Sequence, residues 1–415
     1  MKTILHSDCN NFYASVECVY DPTLRDKPVA VCGDPAERHG IILAKNELAK
    51  KRGIKTGETI GSAREKCPEL TLLPPCGERY VRFSRILRDM YAEYSSQVEP
   101  FGLDESWLAI DGGPQEGMEL ASTLRRRARE KLGITLSIGV SFNKIFAKLG
   151  SDMHKPDATT VISTENFREK VWPLPVGELL FIGRSAAQKL NAYGLRTIGD
   201  IARANQAALH DILGKNGDTL YDYAAGRDAA PVLALDQADD IKSVGNSTTP
   251  AFDIADSLDA QRVVYMLCDS VAERMRKQRV RCTTVTVWLR KTDLSGSTHQ
   301  MKLPRPTDLS LELSLAALRL LRQVWTGQPL RSLGVQGSGL IFEDDRRIQL
   351  SALPDPPAQR AVLLEKTADQ LHGRFGKSAL FRAILLTGDQ RKALQYAADS
   401  SLSAANMAAI HRREM

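Results

Sequence analysis

Asp8 closes a short apolar run at residues 3–9, and Asp104-Glu105 lies far downstream, at the turn of a hairpin expected over residues 98–110. Strands that end together can bring all three side chains to one point. Carboxylates buried side by side repel one another, so such a cluster stays ionised only where a cation joins it. Hard oxygen donors with positions left open for phosphate select Mg²⁺. On spacing alone a second reading stands beside this one: Asp104-Glu105 caps a hairpin, and Asp8 caps a helix that starts near Phe12.

The elements that must carry these residues follow from periodicity. Residues 3–9 read as a buried strand and residues 12–19 as the helix after it. Residues 29–32 and 40–43 read as further strands, and residues 46–52 and 60–67 as small helices. A helical period over residues 80–98 puts Phe83, Ile86, Leu87, Met90 and Tyr94 on one side. Two strands then meet at a tight turn over residues 103–106. A helix containing Arg125, Arg126, Arg127 and Arg129 leads to a strand at residues 136–140, which closes one mixed αβ domain. Between residues 176 and 226 short helices separated by glycines predict an independent helical module. Residues 281–290 alternate as a strand with two different faces, inside a second αβ domain beginning near Ser243. Beyond Glu343 the chain turns proline-rich and ends in an Ala-rich tail.

A chain of 415 residues is long enough for two to four domains. With 56 Lys+Arg against 50 Asp+Glu, its net charge of +6 suggests an acidic partner such as nucleic acid. No apolar run approaches the ~18 to 20 residues that span a bilayer. The seven cysteines are scattered and never spaced as CxxC, so reduced thiols, no zinc site and a cytoplasmic location are expected.

The words around the carboxylates narrow the reading. His6-Ser-Asp-Cys-Asn-Asn-Phe-Tyr-Ala-Ser-Val-Glu17 and Phe101-Gly-Leu-Asp-Glu-Ser-Trp-Leu108 resemble the two metal motifs of Y-family DNA polymerases, closest to the bacterial DNA polymerase IV branch. Further matches follow in the family's order: Ala44-Lys-Asn-Glu-Leu-Ala-Lys-Lys-Arg-Gly53, Ile138-Gly-Val-Ser-Phe-Asn-Lys-Ile-Phe-Ala-Lys148, Ser151-Asp-Met-His-Lys-Pro156 and Lys242-Ser-Val-Gly-Asn246. The resemblance covers roughly residues 2–390. It implies an α+β multidomain fold in the form of a right hand. The parts would be a ferredoxin-like palm (1–10 and 78–167), small fingers (11–77), a helix-hairpin-helix thumb (168–230), a linker (231–242), an αβ little finger (243–346) and a C-terminal tail (347–415).

The activity implied is template-directed, error-prone translesion synthesis from deoxynucleoside triphosphates on primer-template DNA, by a monomer without proofreading. Asp8, Asp104 and the Cys9 backbone carbonyl would hold a triphosphate-side Mg²⁺. Asp8, Asp104 and Glu105 would hold a second ion at the primer 3′-hydroxyl, and Mn²⁺ can substitute. Tyr13 would be the steric gate against ribose, with Asn11, Phe12, Lys50 and Lys155 completing nucleotide binding. Gly183 and Arg184 in the hairpin, Lys242, and the run Arg274, Arg276, Lys277, Arg279 and Arg281 would contact DNA. Gln349, Leu350 and Leu353 form a degraded sliding-clamp peptide that lacks an aromatic anchor. Asn10, where many relatives are acidic, is expected to weaken metal affinity, while Ala44 and Glu47 replace a phosphate-binding hydroxyl and a tyrosine. Two other readings are a nucleotidyl cyclase and a catalytically silent DNA-damage adaptor. The cyclase leaves the hairpin module unexplained, and the adaptor would lack the metal carboxylates.

Overall fold

The computed structural model describes residues 2–33, 40–235, 237, 241–343 and 356–386. Gln349, Leu350 and Leu353 lie outside them. The chain divides into two compact units, one holding Met1–Ala36 with Gly40–Ala238 and the other holding Asp239–Met415.

The first unit opens with strand β1 (Lys2–Cys9) and helix α1 (Phe12–Tyr20). A small lobe follows, made of β2 (Val29–Cys32), β3 (Ile42–Lys45), α2 (Glu47–Lys51), α3 (Ile60–Lys66) and β4 (Thr71–Leu73). Then come α4 (Gly77–Ala92), β5 (Gln97–Pro100), β6 (Glu105–Asp111), α5 (Pro114–Leu132), β7 (Leu136–Ser141), α6 (Lys144–Met153) and β8 (Thr159–Ile162). Five of these strands form one sheet in the order β5-β6-β1-β7-β8. Central β1 is antiparallel to both neighbours and almost wholly buried, its polar residues Thr3, His6, Ser7 and Asp8 included.

Helix α4 departs from expectation. It stops at Ala92, and Ile86 and Tyr94 are 37% and 39% exposed, while Tyr80 and Tyr91 take the buried face. Burial of Tyr91 is sustained by a hydrogen bond to Ser7 in β1 (2.9 Å), a tertiary partner that local periodicity cannot reveal.

The same unit continues with helices α7 (Phe167–Lys170), α8 (Arg184–Ala192), α9 (Ile198–Arg203), α10 (Gln206–Leu213) and α11 (Lys215–Ala224). They share a core that includes Leu190, Ile198, Ile201, Leu209 and Leu220. The approach of α11 to α10 demands glycine, because a Cβ at Gly217 would lie 2.1 Å from the Leu209 carbonyl oxygen.

The second unit pairs β9 (Ser243–Thr248), β10 (Val280–Lys291), β11 (Gly296–Thr307) and β12 (Leu330–Phe342) in the order β11-β10-β12-β9. Helices α12 (Ser257–Lys277) and α13 (Ser310–Val324) cover one face. The strand expected at residues 281–290 is β10, with Cys282, Val285, Val287 and Leu289 in the core.

The stretch expected as a tail contains α14 (Pro356–Phe375) and α15 (Ala383–Leu386), both within this unit. Arg276 of α12 forms a bidentate pair with Asp369 (2.6 and 2.7 Å) and an ion pair with Glu365 (3.0 Å). Arg382 grips Asp269 of α12, and Leu385 enters the core. The segment folds through charge pairs with α12 that its Pro- and Ala-rich composition hides.

Candidate active site

Asp8 and Glu105 face each other directly in the β1–β6 ladder, and the Cys9 amide donates to the Asp104 carbonyl at 3.0 Å. One register thus assembles three carboxylates from two distant words of the sequence. The hairpin turn is held from below by buried Arg88, whose Nη2 donates to the Gly102 carbonyl (2.9 Å). Only 5% of Asp8 is exposed.

Two lysines neutralise this cluster. Lys155 Nζ lies 2.7 Å from Asp8 Oδ2 and 2.7 Å from Asp152. Lys148 Nζ lies 3.3 Å from Asp8, 3.0 Å from Glu105 and 3.2 Å from Asp152. Burial lifts the Asp8 carboxyl to about 7 against the pull of Lys155, and burial with the charge of Glu105 lifts Asp104 to about 6. Burial also pushes Glu105 upward, but His6 and Lys148 outweigh it and hold Glu105 below the usual carboxylate range. His6 is fully buried and stays neutral, its pKa lowered to about 4 chiefly by desolvation. Its Nε2 faces Glu105 Oε2 at 3.3 Å, the same oxygen that Lys148 Nζ approaches at 3.0 Å.

Hard carboxylate oxygens whose cationic neighbours are two lysine ammonium groups fit a divalent cation. Among the described residues no three His, Cys, Asp or Glu side chains are already closed around one point. The lysine ammonium groups stand close to the carboxylates instead.

Sequence and structure comparisons show the family. Residues 7–152 match the impB/mucB/samB family and residues 241–352 its C-terminal domain. The DNA polymerase IV of Acetivibrio thermocellus is 43% identical over 390 residues, covering 93% of this chain and 98% of the relative. That of Clostridium acetobutylicum is 31% identical over 398 residues, covering 94% and 100%. The chain belongs to the Y family of DNA polymerases, in its DNA polymerase IV branch. A solved Y-family polymerase chimera of Dbh and Dpo4 superposes with a TM-score of 0.75 at 25% identity, covering 82% of this chain and 99% of the chimera. DinB from Sulfolobus solfataricus, at 24% identity and a TM-score of 0.54, shares the fold over the same fractions.

Phe12 is 3% exposed and belongs to the core, whereas Tyr13 is half-buried and stacks on Tyr80 with ring centroids 4.1 Å apart. Tyr80 in turn donates to Glu17 at 2.8 Å, which fixes the plane behind the Tyr13 ring. Burial and the charge of Asp104 raise the Tyr13 phenol. Asn11 adopts the left-handed region (φ 52°), which Asn tolerates, and its amide donates to Glu47 at 2.9 Å. Lys50 is half exposed and 3.6 Å from the same Glu47. Glu47 therefore sets a carboxylate between Asn11 and Lys50.

Gly183 caps α8 with open space where a side chain would be, and Arg184 beside it is exposed. Lys242 is exposed at the foot of β9. The basic run is not a uniform face. Arg276 is consumed by Asp369, Glu365 and the Asp308 carbonyl, so its guanidinium is structural and the expectation that it contacts DNA is corrected. Arg274 donates to the Gly245 carbonyl at 2.8 Å, and Arg281 lies 3.7 Å from Asp308. Lys277 and Arg279 turn outward, 69% and 63% exposed, paired with Glu273 and Glu343. The run itself holds no acid between Arg274 and Arg281, and most of these partners come from distant elements.

Sequence reasoning missed Lys148, His6 and Arg88 as parts of the site. Lys148, Asp152 and Lys155 recur at i, i+4 and i+7, and His6 precedes Asp8 by the two-residue period that puts both on one strand face. Those spacings were the available signals. Nothing local marks Arg88.

Proposed function

We propose that this translesion DNA-directed DNA polymerase joins an incoming deoxynucleoside triphosphate to a primer 3′-hydroxyl at Asp8, Asp104 and Glu105. The observation that carries the proposal is the β1–β6 register, which sets buried Asp8 beside part-buried Asp104 and Glu105, next to two lysines. What two Mg²⁺ ions supply when held by Asp8, Asp104, Glu105 and the Cys9 carbonyl is a lowered hydroxyl pKa and neutralisation of the leaving pyrophosphate. The chain's own groups bind and orient. Asp8 and Glu105 are fixed by the ladder, Asp104 by the Arg88-braced turn, and Lys155 offers an ammonium to the triphosphate. Tyr13, backed flat by Tyr80, excludes a 2′-hydroxyl.

The adaptor reading is disfavoured because all three carboxylates are present at the end of the β1–β6 ladder. Lys277 and Arg279, with the Gly183 amide region, supply sequence-independent contacts to the DNA backbone. Gln349, Leu350 and Leu353 dock weakly on a sliding clamp, in the micromolar range or weaker, since no aromatic residue fills the groove. In a binding titration, Gln349→Ala with Leu350→Ala should weaken clamp affinity; an unchanged affinity removes the peptide from the account.

The sugar gate is tested by Tyr13→Ala. Ribonucleotide incorporation should rise relative to deoxyribonucleotide, read as the ratio of kcat/KM values, by ten-fold or more for the ~1.4 kcal/mol that a removed clash readily exceeds. An unchanged ratio makes Tyr13 a packing residue.

A further inference from the structure

Asn10 lies two residues beyond Asp8, is 4% exposed, and does not face the carboxylates as a free ligand would. Its side chain makes three hydrogen bonds elsewhere. Nδ2 donates to Ser137 Oγ at 2.8 Å, on β7. Oδ1 accepts from Thr135 Oγ1 at 3.0 Å and from the backbone amide of Asp157 at 2.8 Å. The last bond spans 147 positions of sequence and reaches the segment that carries Lys155.

Asp157 is held from its other side as well. Its backbone sits in the left-handed region at φ 53°, a conformation that persists in an L-residue when the surroundings hold it. Arg125 Nε donates to its Oδ1 at 3.1 Å, Arg125 Nη2 donates to its carbonyl, and Arg129 pairs with its Oδ2. Arg125 Nη1 also reaches Thr159 Oγ1 at 3.3 Å, at the start of β8. Asp157 is thus pinned between the catalytic strand and α5. Lys155 stands two residues before it, with Nζ 2.7 Å from Asp8. Two residues span at most about 7 Å, so the pin fixes where the Lys155 backbone can stand.

We infer that Asn10 is a positioning residue for nucleotide binding: it latches the Lys155 segment to the end of the catalytic strand and so sets the affinity for the incoming triphosphate. An Asn is suited to the post because one neutral side chain accepts two hydrogen bonds and donates a third without adding a charge beside Asp8. The expected weakening of metal binding at this position gives way to a role in holding Lys155. This inference rests on the assignment of Lys155 to the triphosphate, so the test separates the two.

The experiment is a double-mutant cycle in steady-state primer extension with full-length protein, using Asn10→Ala, Lys155→Ala and the double variant, with thermal melting as a control. Asn10→Ala should raise KM for the nucleotide by roughly five- to tenfold, the worth of one or two net hydrogen bonds, with kcat within about twofold. In the Lys155→Ala background the same change should add almost nothing. Asn10→Asp keeps both accepted bonds and should leave KM closer to wild type than Asn10→Ala does. Equal effects of Asn10→Ala in both backgrounds, or a loss in kcat alone, overturn the latch while leaving Lys155 assigned. If Lys155→Ala itself leaves KM unchanged, the Lys155 assignment falls and takes the inference with it.

Discussion

At the scale of single residues, the site is a contest between burial and neutralisation. Desolvation raises Asp8 to about 7 and Asp104 to about 6, while Glu105 is held low by His6 and Lys148. The two raised carboxyls bind protons more tightly in the folded than in the unfolded chain. Their contribution to the stability of the metal-free protein is therefore fully present below the unfolded value near 4, and is lost as pH rises through 6 to 7. Glu105 has the opposite sign: its contribution is present above about 4.5 and is lost only in strong acid. Cation binding must displace the protons held by Asp8 and Asp104, so apparent Mg²⁺ affinity should fall as pH drops from 8 to 6. Calorimetric titration in buffers of different ionisation enthalpy should show more protons released per ion at pH 6.5 than at pH 8. Equal release at both values would mean that these carboxyls are not the ones that meet the metal.

At the scale of elements, the site depends on how closely α6 approaches β7. A Cβ at Gly139 would lie 1.9 Å from the Ala147 carbonyl and 2.5 Å from the Ser151 amide, and a Cβ at Gly150 would lie 3.2 Å from the Gly139 Cα on the facing side. These two glycines let the helix bearing Lys148 and Ser151 settle on the sheet, where Ser151 meets His6 at 2.9 Å. Gly139→Ala forces backbone against backbone and should cost about 3 kcal/mol or more, roughly 6 °C or more in Tm for a unit of this size. A Tm within 1 or 2 °C of wild type would show that α6 can shift without loss. The strands and helices of this unit were legible because β1 and β7 carry short apolar stretches (Ile4-Leu5; Leu136, Ile138 and Val140) and α1 starts soon after Asp8. Three features were not. Tyr91 is buried through Ser7, Arg88 is buried beneath a turn, and α14 is folded through Arg276, and in each case a partner distant in sequence supplies the reason. The carboxylate trio and Lys155 were legible as residues, but Lys148, the second lysine beside them, was not.

At the scale of the whole molecule, each unit brings its own core, and the division falls beyond the helical module, after Ala238. The first unit holds the carboxylates proposed for the chemistry and the second an outward-facing basic pair, Lys277 and Arg279, on a sheet-and-helix body braced by α14. Among the described residues no helix is long and apolar enough to cross a membrane. What unites these parts in one activity is the claim that Asp8, Asp104 and Glu105 drive nucleotidyl transfer rather than DNA binding. The direct measurement is single-turnover primer extension opposite an abasic site in Mg²⁺ by the wild type and by Asp104→Ala, with primer-template affinity measured in parallel by fluorescence anisotropy. The account predicts bypass by the wild type and a rate loss of at least a thousandfold in Asp104→Ala, about 4 kcal/mol of transition-state stabilisation, at nearly unchanged DNA affinity. Extension by Asp104→Ala at the wild-type rate would contradict it.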